Sequence, residues 1–449
     1  MTRTDENEAA QIGHVARAGT GPTGDPAAQP PIRVDGADRV RHRPRGTLRR
    51  VGTMISPSAA AAGQIALERD ARPRVNRLVA ATKEWLRERR NPTRPTMRAM
   101  IASGRGRLEW RDIPAPETPG PDAAVVAPVA VATCDLDRSL ALGATPFPLG
   151  FTIGHECVAE VLCVGERVTT VRPGELVVVP FEINCGRCGP CRAGHTSNCA
   201  GVPPISMYGF GVGGGHWGGA LADKVAVPYA DAMLVPLPAG VSPVAAASTA
   251  DTICDAYRHI APHLPRLLAQ DPGTEVLIVA CLGGKTLFSP SVPLYAGQIA
   301  LALGAPRVRL VDGRPEVRAA AAQLGFEALT PDELRKTPPA GLVVSATATA
   351  KGVWAALSAT APDGVCSCVG GLHRTARIPV TRLYGRNVTF HIGRTDVRAL
   401  LPEVLELIAG GRFRPERVVT TLGPLDDAPR LLARHYRTGD FKTILTRER

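Results

Sequence analysis

Four cysteines within one short segment restrict the fold of this chain more than any other feature of its sequence. Cys185, Cys188, Cys191 and Cys199 follow a C-x2-C-x2-C-x7-C spacing, with glycine and proline between them. Turns at those residues let the backbone bring four thiolates around one ion, as a closed structural Zn²⁺ site requires. Disulfides are the alternative, but close neighbours on one loop and the lack of an export signal favour zinc. A closed site carries out no chemistry, so catalytic residues must lie elsewhere.

Three further residues predict a metal site of a different kind. Cys134, His155 and Asp251 offer a thiolate, an imidazole and a carboxylate. Such a set leaves a fourth position open for water or a substrate oxygen, which distinguishes catalytic zinc from structural zinc. Each residue alone has an ordinary interpretation: a small core cysteine, a buried or surface histidine, and an aspartate that caps a helix.

The order of these parts resembles a known family, the zinc-dependent medium-chain alcohol dehydrogenases, from about Met97 onward. That family has a Cys ligand, a Gly-His-Glu motif, a four-cysteine loop and then a third ligand at the first helix of its nucleotide-binding domain. The segments 97–114 and 437–445 are also similar to the family's first hairpin and last strand. In its formaldehyde-dehydrogenase-like branch the third ligand is aspartate, which favours Asp251 over Cys254.

The resemblance implies an α/β fold with a barrel-like, β-rich catalytic domain and a Rossmann doubly wound parallel sheet. We expect a GroES-like catalytic domain over 97–253, the dinucleotide domain over 254–392, and a return to the catalytic domain over 393–449. The residue pattern agrees, because short strands expected over 125–133, 157–164 and 176–180 are punctuated by Pro-Gly turns. They precede a strand, helix, strand alternation that begins at Glu275, with its helix expected over 295–303.

Residues 1–96 fit neither domain. This segment has 18 Lys+Arg and 10 Asp+Glu, and so carries +8 of the chain's net charge of +12. Arginine without interleaved aromatic residues predicts a disordered basic extension, since too little apolar surface is available to offset its ordering entropy. Two alternatives stay open for it: nucleic-acid binding, and an upstream addition to a chain that starts at Met97 or Met100.

The expected dinucleotide site departs from the family pattern at its glycine loop. Gly283 and Gly284 begin a loop about six residues longer than the family's, and Pro293 stands where the last glycine is expected. Asp312 follows the second strand of this domain and suits the ribose 2′-OH, which favours NAD over NADP. An ordinary turn residue is the alternative for Asp312. The resemblance also places a cation at Lys442 on the cofactor pyrophosphate.

The resemblance places Asp137 and Glu156 beside the catalytic metal, where carboxylates orient ligands. Surface ion pairs are the alternative for both. Leu136 stands where the family usually has a hydroxyl that carries the alcohol proton, so we expect the proton to use water, Asp135 or Ser139.

The sequence therefore predicts an NAD-dependent oxidoreductase that acts on a small alcohol or aldehyde, with one catalytic and one structural Zn²⁺ per chain. The alternative is a non-catalytic or weakly active zinc protein of the same fold with a decayed dinucleotide loop. We further expect a cytoplasmic homo-oligomer that partners neither membrane nor nucleic acid, because no run approaches the ~18 apolar residues of a membrane span.

Overall fold

The computed structural model describes residues 32–33, 95–116, 119–142, 150–210, 216–286, 288–370, 377–438 and 440–448. Most of the predicted basic extension lies outside these residues. Ile32–Arg33 forms a two-residue strand, β1, that pairs antiparallel with β3 (Arg107–Pro114). β3 also pairs with β2 (Thr96–Gly104), which completes a three-stranded sheet over the expected first hairpin.

A mixed, seven-stranded sheet forms one half of the described structure, built from the first part of the chain and from its last two strands. Its strands are β4 (Ala124–Ala132), β5 (Glu156–Val164), β6 (Leu176–Val179), β7 (Val225–Val227), β8 (Val235–Pro236), β15 (Thr421–Pro424) and β16 (Thr443–Thr446). The order is β15-β16-β4-β5-β6-β8, and β7 pairs with β4. Isolated bridges from β2 to residues 152 and 222 attach the three-stranded sheet to this part. The predicted strands of the β-rich domain are confirmed.

A six-stranded parallel sheet forms the second half, in the order β11-β10-β9-β12-β13-β14. Its strands are β9 (Val276–Val279), β10 (Val308–Val311), β11 (Glu327–Leu329), β12 (Ala340–Ser345), β13 (Thr360–Cys368) and β14 (Thr389–Ile392). All four residues of β9 are buried, as expected for a central parallel strand covered on both faces. This is the predicted doubly wound Rossmann sheet.

The helices are mostly short in the first half and longer around the parallel sheet. In chain order they are α1 (Asp137–Ala141), α2 (Gly189–Arg192), α3 (Ala230–Met233), α4 (Pro243–Ala246), α5 (Thr252–Arg258), α6 (Leu264–Gln270), α7 (Ser291–Ala302), α8 (Pro315–Gln323), α9 (Ala350–Ser358), α10 (Val380–Tyr384), α11 (Val397–Ala409) and α12 (Ala428–Thr438). Short 3-10 turns cover 196–198, 247–250, 333–335, 415–418 and 425–427. No helix among the described residues is long and apolar enough to cross a membrane.

Helix α7 follows the central strand β9 and is buried along most of its length. A Cβ atom at Gly297 would lie 2.4 Å from the ring of Phe326, so only glycine permits this close packing. The sequence pattern predicted a helix from Tyr295, and the structure begins it four residues earlier, at Ser291. Pro293 therefore lies in the first turn, where a missing N–H costs no helical hydrogen bond.

One apolar core joins the two sheets. It includes Ala130 of β4, Ile278 of β9, Tyr295 of α7, Leu401 of α11 and Ile444 of β16. The chain after 393 thus contributes α11 to the shared core and returns β15 and β16 to the mixed sheet. The exact boundaries expected at 253 and 392 stay predictions.

Candidate metal centres and cofactor site

The four-cysteine segment closes on itself. One sulfur from each of Cys185, Cys188, Cys191 and Cys199 lies within 4.8 Å of the others. Backbone N–H groups of Cys185 and Gly201 donate to the Cys199 sulfur, each at 3.3 Å. A Cβ atom at Gly201 would lie 2.6 Å from the Cys185 sulfur, so glycine is required there.

The electrostatics of this loop favour a bound cation. Burial raises the pKa of Cys199 to about 11. Burial raises the pKa of Cys188, but hydrogen bonds from the N–H groups of Cys191 and Ala200 and from the thiols of Cys191 and Cys185 together lower it to about 6. Four thiols this close ionise together only when a cation balances their charge, so the donor set fits Zn²⁺.

The second predicted trio also converges, at the junction of the two halves. Cys134 follows β4, His155 precedes β5, and Asp251 precedes α5. The Asp251 Oδ2 atom lies 3.5 Å from the Cys134 sulfur and 3.2 Å from Nε2 of His155. Cys254, the alternative third ligand, is fully buried in α5 and is not among these donors.

Charge in this buried cluster also favours a metal cation. Glu156 contributes an oxygen within 4.8 Å of the other donors. Burial, followed by Asp251 and other carboxylates, raises the pKa of Cys134 well above its usual value. A thiolate here therefore needs a positive partner, and a sulfur, nitrogen and oxygen set is one that Zn²⁺ accepts.

Asp137 lies behind His155. Its Oδ2 accepts a hydrogen bond of 2.8 Å from the Cys134 N–H, and its Oδ1 lies 3.9 Å from Nδ1 of His155. That Nδ1 is buried without a hydrogen-bond partner in the described part of the chain. The rings of Phe181 and Phe210 lie 6.0 and 4.8 Å from the imidazole, so apolar side chains fix its plane. Asp137 can thus orient two ligands without being one.

Glu156 has a partner that the sequence did not indicate. Lys442, fully buried just before β16, places Nζ 3.1 Å from Glu156 Oε2 and 3.0 Å from the hydroxyl of Thr252. It also donates to the carbonyl of Thr133, and the Thr252 hydroxyl donates to Glu156. Burial lowers the pKa of Lys442, but Glu156 and its neighbours reverse this and raise it above the usual value. The ammonium group of Lys442 is thus committed to Glu156. Its contact with the cofactor pyrophosphate stays a prediction.

The glycine loop packs against the turn after β10. A Cβ atom at Gly313 would lie 2.3 Å from the carbonyl oxygen of Gly283, so the two backbones touch. The fully buried Asp312 accepts from Nε and Nη2 of Arg314 at 2.9 and 2.8 Å. Arg314 also donates to the carbonyl of Phe288 at 3.1 Å. Asp312 stands where a ribose acceptor is expected, yet Arg314 already pairs with its carboxylate.

A second carboxylate reaches the start of α7 from the catalytic half. Asp135, directly after Cys134, accepts hydrogen bonds from the hydroxyls of Ser289, at 2.5 Å, and Ser291. Its other oxygen lies 3.4 Å from the N–H of Val292. Pro290, at the N-cap of α7, provides no side-chain cap, so Asp135 satisfies the helix start instead.

Comparison with known proteins agrees with this arrangement. Residues 120–239 match the alcohol dehydrogenase GroES-like domain, and residues 292–410 match the zinc-binding dehydrogenase domain. A Mycobacterium tuberculosis protein named "probable zinc-binding alcohol dehydrogenase" is 30% identical over 341 residues, covering 74% of this chain and 83% of its own. The chain belongs to the zinc-dependent medium-chain alcohol dehydrogenases.

Further relatives of this dehydrogenase support the same fold. The glutathione-independent formaldehyde dehydrogenase of Pseudomonas aeruginosa is 28% identical over 387 residues, covering 74% of this chain and 93% of its own. The alcohol dehydrogenase of Thermus sp. ATN1 superposes with a TM-score of 0.68 at 29% identity, over 78% of this chain and 99% of the other.

Two contacts near the centre are not indicated by the sequence. The sequence places Lys442 on the pyrophosphate and Asp135 on the proton path, whereas the structure pairs Lys442 with Glu156 and Asp135 with the start of α7. Thr252, which follows Asp251 directly, contacts both Lys442 and Glu156. The contacts of Asp135 and Lys442 join residues more than 150 positions apart, which no short motif records.

Proposed function

We propose that this dehydrogenase uses one catalytic Zn²⁺ and NAD to interconvert a small alcohol and its aldehyde. The convergence of Cys134, His155 and Asp251 in one buried cluster carries the proposal. A second, structural Zn²⁺ is assigned to the four-cysteine loop, where no position is left open.

When bound, the metal polarises the substrate oxygen and the nicotinamide exchanges the hydride. The protein's own residues prepare the site for this. Asp137 orients His155 and the Cys134 backbone, while Phe181 and Phe210 exclude water from one side of the imidazole. Lys442 balances Glu156, which leaves the charge of the other donors to the metal.

The proton path cannot use Leu136, and the structure narrows the alternatives. The hydroxyl of Ser139 is fully buried and makes no hydrogen bond within the described residues. Asp135 is hydrogen-bonded to Ser289 at the start of α7 and is committed there. We therefore assign proton exchange with solvent to water rather than to Ser139.

NAD is favoured over NADP because Asp312 lies at the end of the second strand of the parallel sheet. A carboxylate there accepts from a ribose 2′-OH and repels a 2′-phosphate. Arg314 weakens that repulsion, since it pairs with both oxygens of Asp312. We therefore expect a modest preference for NAD.

The ligand set is tested by exchanging the two candidate third ligands. Asp251→Asn should lower kcat/KM by at least about 100-fold, the upper end of the loss for residues that only support a ligand, and should reduce bound zinc. Cys254→Ser, the control in the same helix region, should keep both. Zinc analysis together with NADH absorbance over a panel of alcohols and aldehydes measures the outcome. If Cys254→Ser loses zinc and Asp251→Asn does not, the third ligand is Cys254.

A second candidate function rests on the contact of Asp135 with α7. An anion from the chain itself occupies a helix start that dinucleotide-binding domains offer to phosphate. A weakly active or non-catalytic zinc protein of the same fold would show no NAD(H) or NADP(H) binding at millimolar concentration.

We also propose a homo-oligomer. β14 lies at one edge of the parallel sheet, and Ile392 on it and Val380 and Tyr384 on α10 are 55%, 63% and 85% exposed. Among the described strands β14 pairs only with β13, and apolar groups along such an edge favour pairing with another copy. Light scattering on the eluting protein tests this, and a monomer at micromolar concentration would contradict it. A cytoplasmic location stays a prediction.

A further inference from the structure

The start of α7 is already occupied by a negative charge of the chain itself. Three groups face the Asp135 carboxylate there: the hydroxyls of Ser289 and Ser291 and the N–H of Val292. Ser291, Val292 and the backbone around them belong to the first turn of a helix of 12 residues. Free N–H groups and the helix dipole favour an anion at such a turn.

The same turn is where a dinucleotide domain places its cofactor. α7 follows β9, the central strand of the parallel sheet, and in this topology the pyrophosphate lies against the N-terminus of that helix. Pro293 leaves one N–H fewer in the first turn. Asp135 and a bound phosphate would compete for the remaining donors at this turn. Two anions held by the same donors also repel each other.

The loop is held in this arrangement from two sides. Asp135 binds Ser289 from the catalytic half, and Arg314 donates to the carbonyl of Phe288 from the turn after β10. The contact between Gly283 and Gly313 closes the other end of the loop. Three contacts of its described residues therefore fasten the elongated glycine loop, and of these three the Asp135 contact brings a negative charge to the helix.

We propose that the Asp135 carboxylate occupies the position of a cofactor phosphate, so that the cofactor binds only after displacing it. The inference rests on the proposed function, because it assumes that a dinucleotide binds this sheet. It makes Asp135 a residue that limits cofactor affinity. Because Asp135 is joined to Cys134, its displacement also shifts the loop that carries a predicted metal ligand.

The test removes the charge and keeps the shape. Asp135→Asn should lower the Kd of the zinc-loaded protein for NADH and for ADP-ribose at least tenfold, measured by calorimetry and NADH fluorescence. Adenosine, which lacks phosphate, should bind equally to both proteins. Asp112→Asn, on an exposed position of β3, controls for the general loss of one negative charge and should leave all three affinities unchanged.

Folding and function are separated from the inference by two further measurements. Thermal unfolding and zinc content show whether Asp135→Asn folds and binds zinc. If it does not, Asp135→Ser, which has a shorter side chain, is measured in its place. An unchanged or weaker affinity for ADP-ribose in a folded, zinc-loaded variant overturns the proposal. If the wild type oxidises an alcohol with NAD but Asp135→Asn binds NADH and ADP-ribose no more tightly, this inference alone is overturned and the proposed function stands. If neither protein binds any dinucleotide, the proposed function fails and this inference fails with it.

Discussion

Replacing Lys442 by methionine should destabilise the protein strongly. The side chain is fully buried, and Nζ is shared among a carbonyl, a hydroxyl and the Glu156 carboxylate. Methionine keeps the length and the apolar packing of lysine and removes the charge. Glu156, also fully buried, is then left without its cationic partner.

The expected magnitude follows from that burial. Breaking a buried ion pair by removing one partner costs about 3–5 kcal/mol, because an uncompensated charge stays in a low-dielectric interior. The lost hydrogen bonds to Thr133 and Thr252 act in the same direction. By contrast, Arg430 and Asp427 form a pair at 2.6 Å whose side chains are 50% and 39% exposed. Arg430→Met, the control, should cost at most about 1 kcal/mol.

Urea unfolding of the zinc-loaded proteins, followed by fluorescence and circular dichroism, measures the free energy of unfolding. For the comparison, the free energy of unfolding must fall with the same slope against urea concentration in the wild type and the variants. A double variant, Lys442→Met with Glu156→Gln, should lose less free energy of unfolding than Lys442→Met alone, because the amide of glutamine leaves no unpaired charge in the interior. A loss below about 1 kcal/mol for Lys442→Met, or no recovery in the double variant, would refute this reasoning.

Three further predictions address other parts of the structure. Cys188→Ser should release one zinc ion per chain and lower the melting temperature. Cys163→Ser, the control on β5 and outside both clusters, should keep its metal content. Equal zinc content in the two variants would contradict the assignment of a structural zinc site to the four-cysteine loop. Gly297→Ala should lower the free energy of unfolding by about 1–3 kcal/mol or more, because its Cβ meets the Phe326 ring. Gly120→Ala, whose Cβ has nothing within 4 Å, should lower it little. Equal losses of the two variants in urea unfolding would contradict the packing argument. Burial lowers the pKa of His435 from 6.5 to about 4, so the unfolded chain takes up a proton first and stability should fall as the pH drops from about 6.5 to 4. His435→Gln should flatten that part of the curve of unfolding free energy against pH, and an unchanged curve would show that His435 does not contribute.

Local patterns predicted much of this fold. Cysteine spacing indicated the closed loop, because turn residues and sulfur count are properties of one segment. Strands such as β4 and β9 follow from apolar runs between turns, and the alternation after Glu275 predicted the parallel sheet. The ordering of Cys134, His155 and Asp251 along the chain indicated the second cluster.

Contacts between distant segments could not be predicted in this way. The partner of Glu156 lies 286 positions away, and nothing near Lys442 distinguishes a lysine buried against a carboxylate from one that faces a phosphate. The start of α7 was misplaced for a similar reason, since Ser289 and Ser291 look like loop residues until Asp135 satisfies them. Propensity at a helix start depends on capping, and here the cap comes from the turn after β4.

The placement of β16 between β4 and β15 has a consequence for how the polypeptide matures on the ribosome. Glu156 and the inner edge of β4 are synthesised early, whereas Thr443–Thr446 emerges about 290 residues later, roughly 15–60 s at about 5–20 residues per second. During that interval the mixed sheet has an unpaired edge, and its buried glutamate has no counter-charge. The nascent catalytic half is therefore exposed to aggregation until the strand carrying its lysine arrives, and chaperone dependence during synthesis is the expected result.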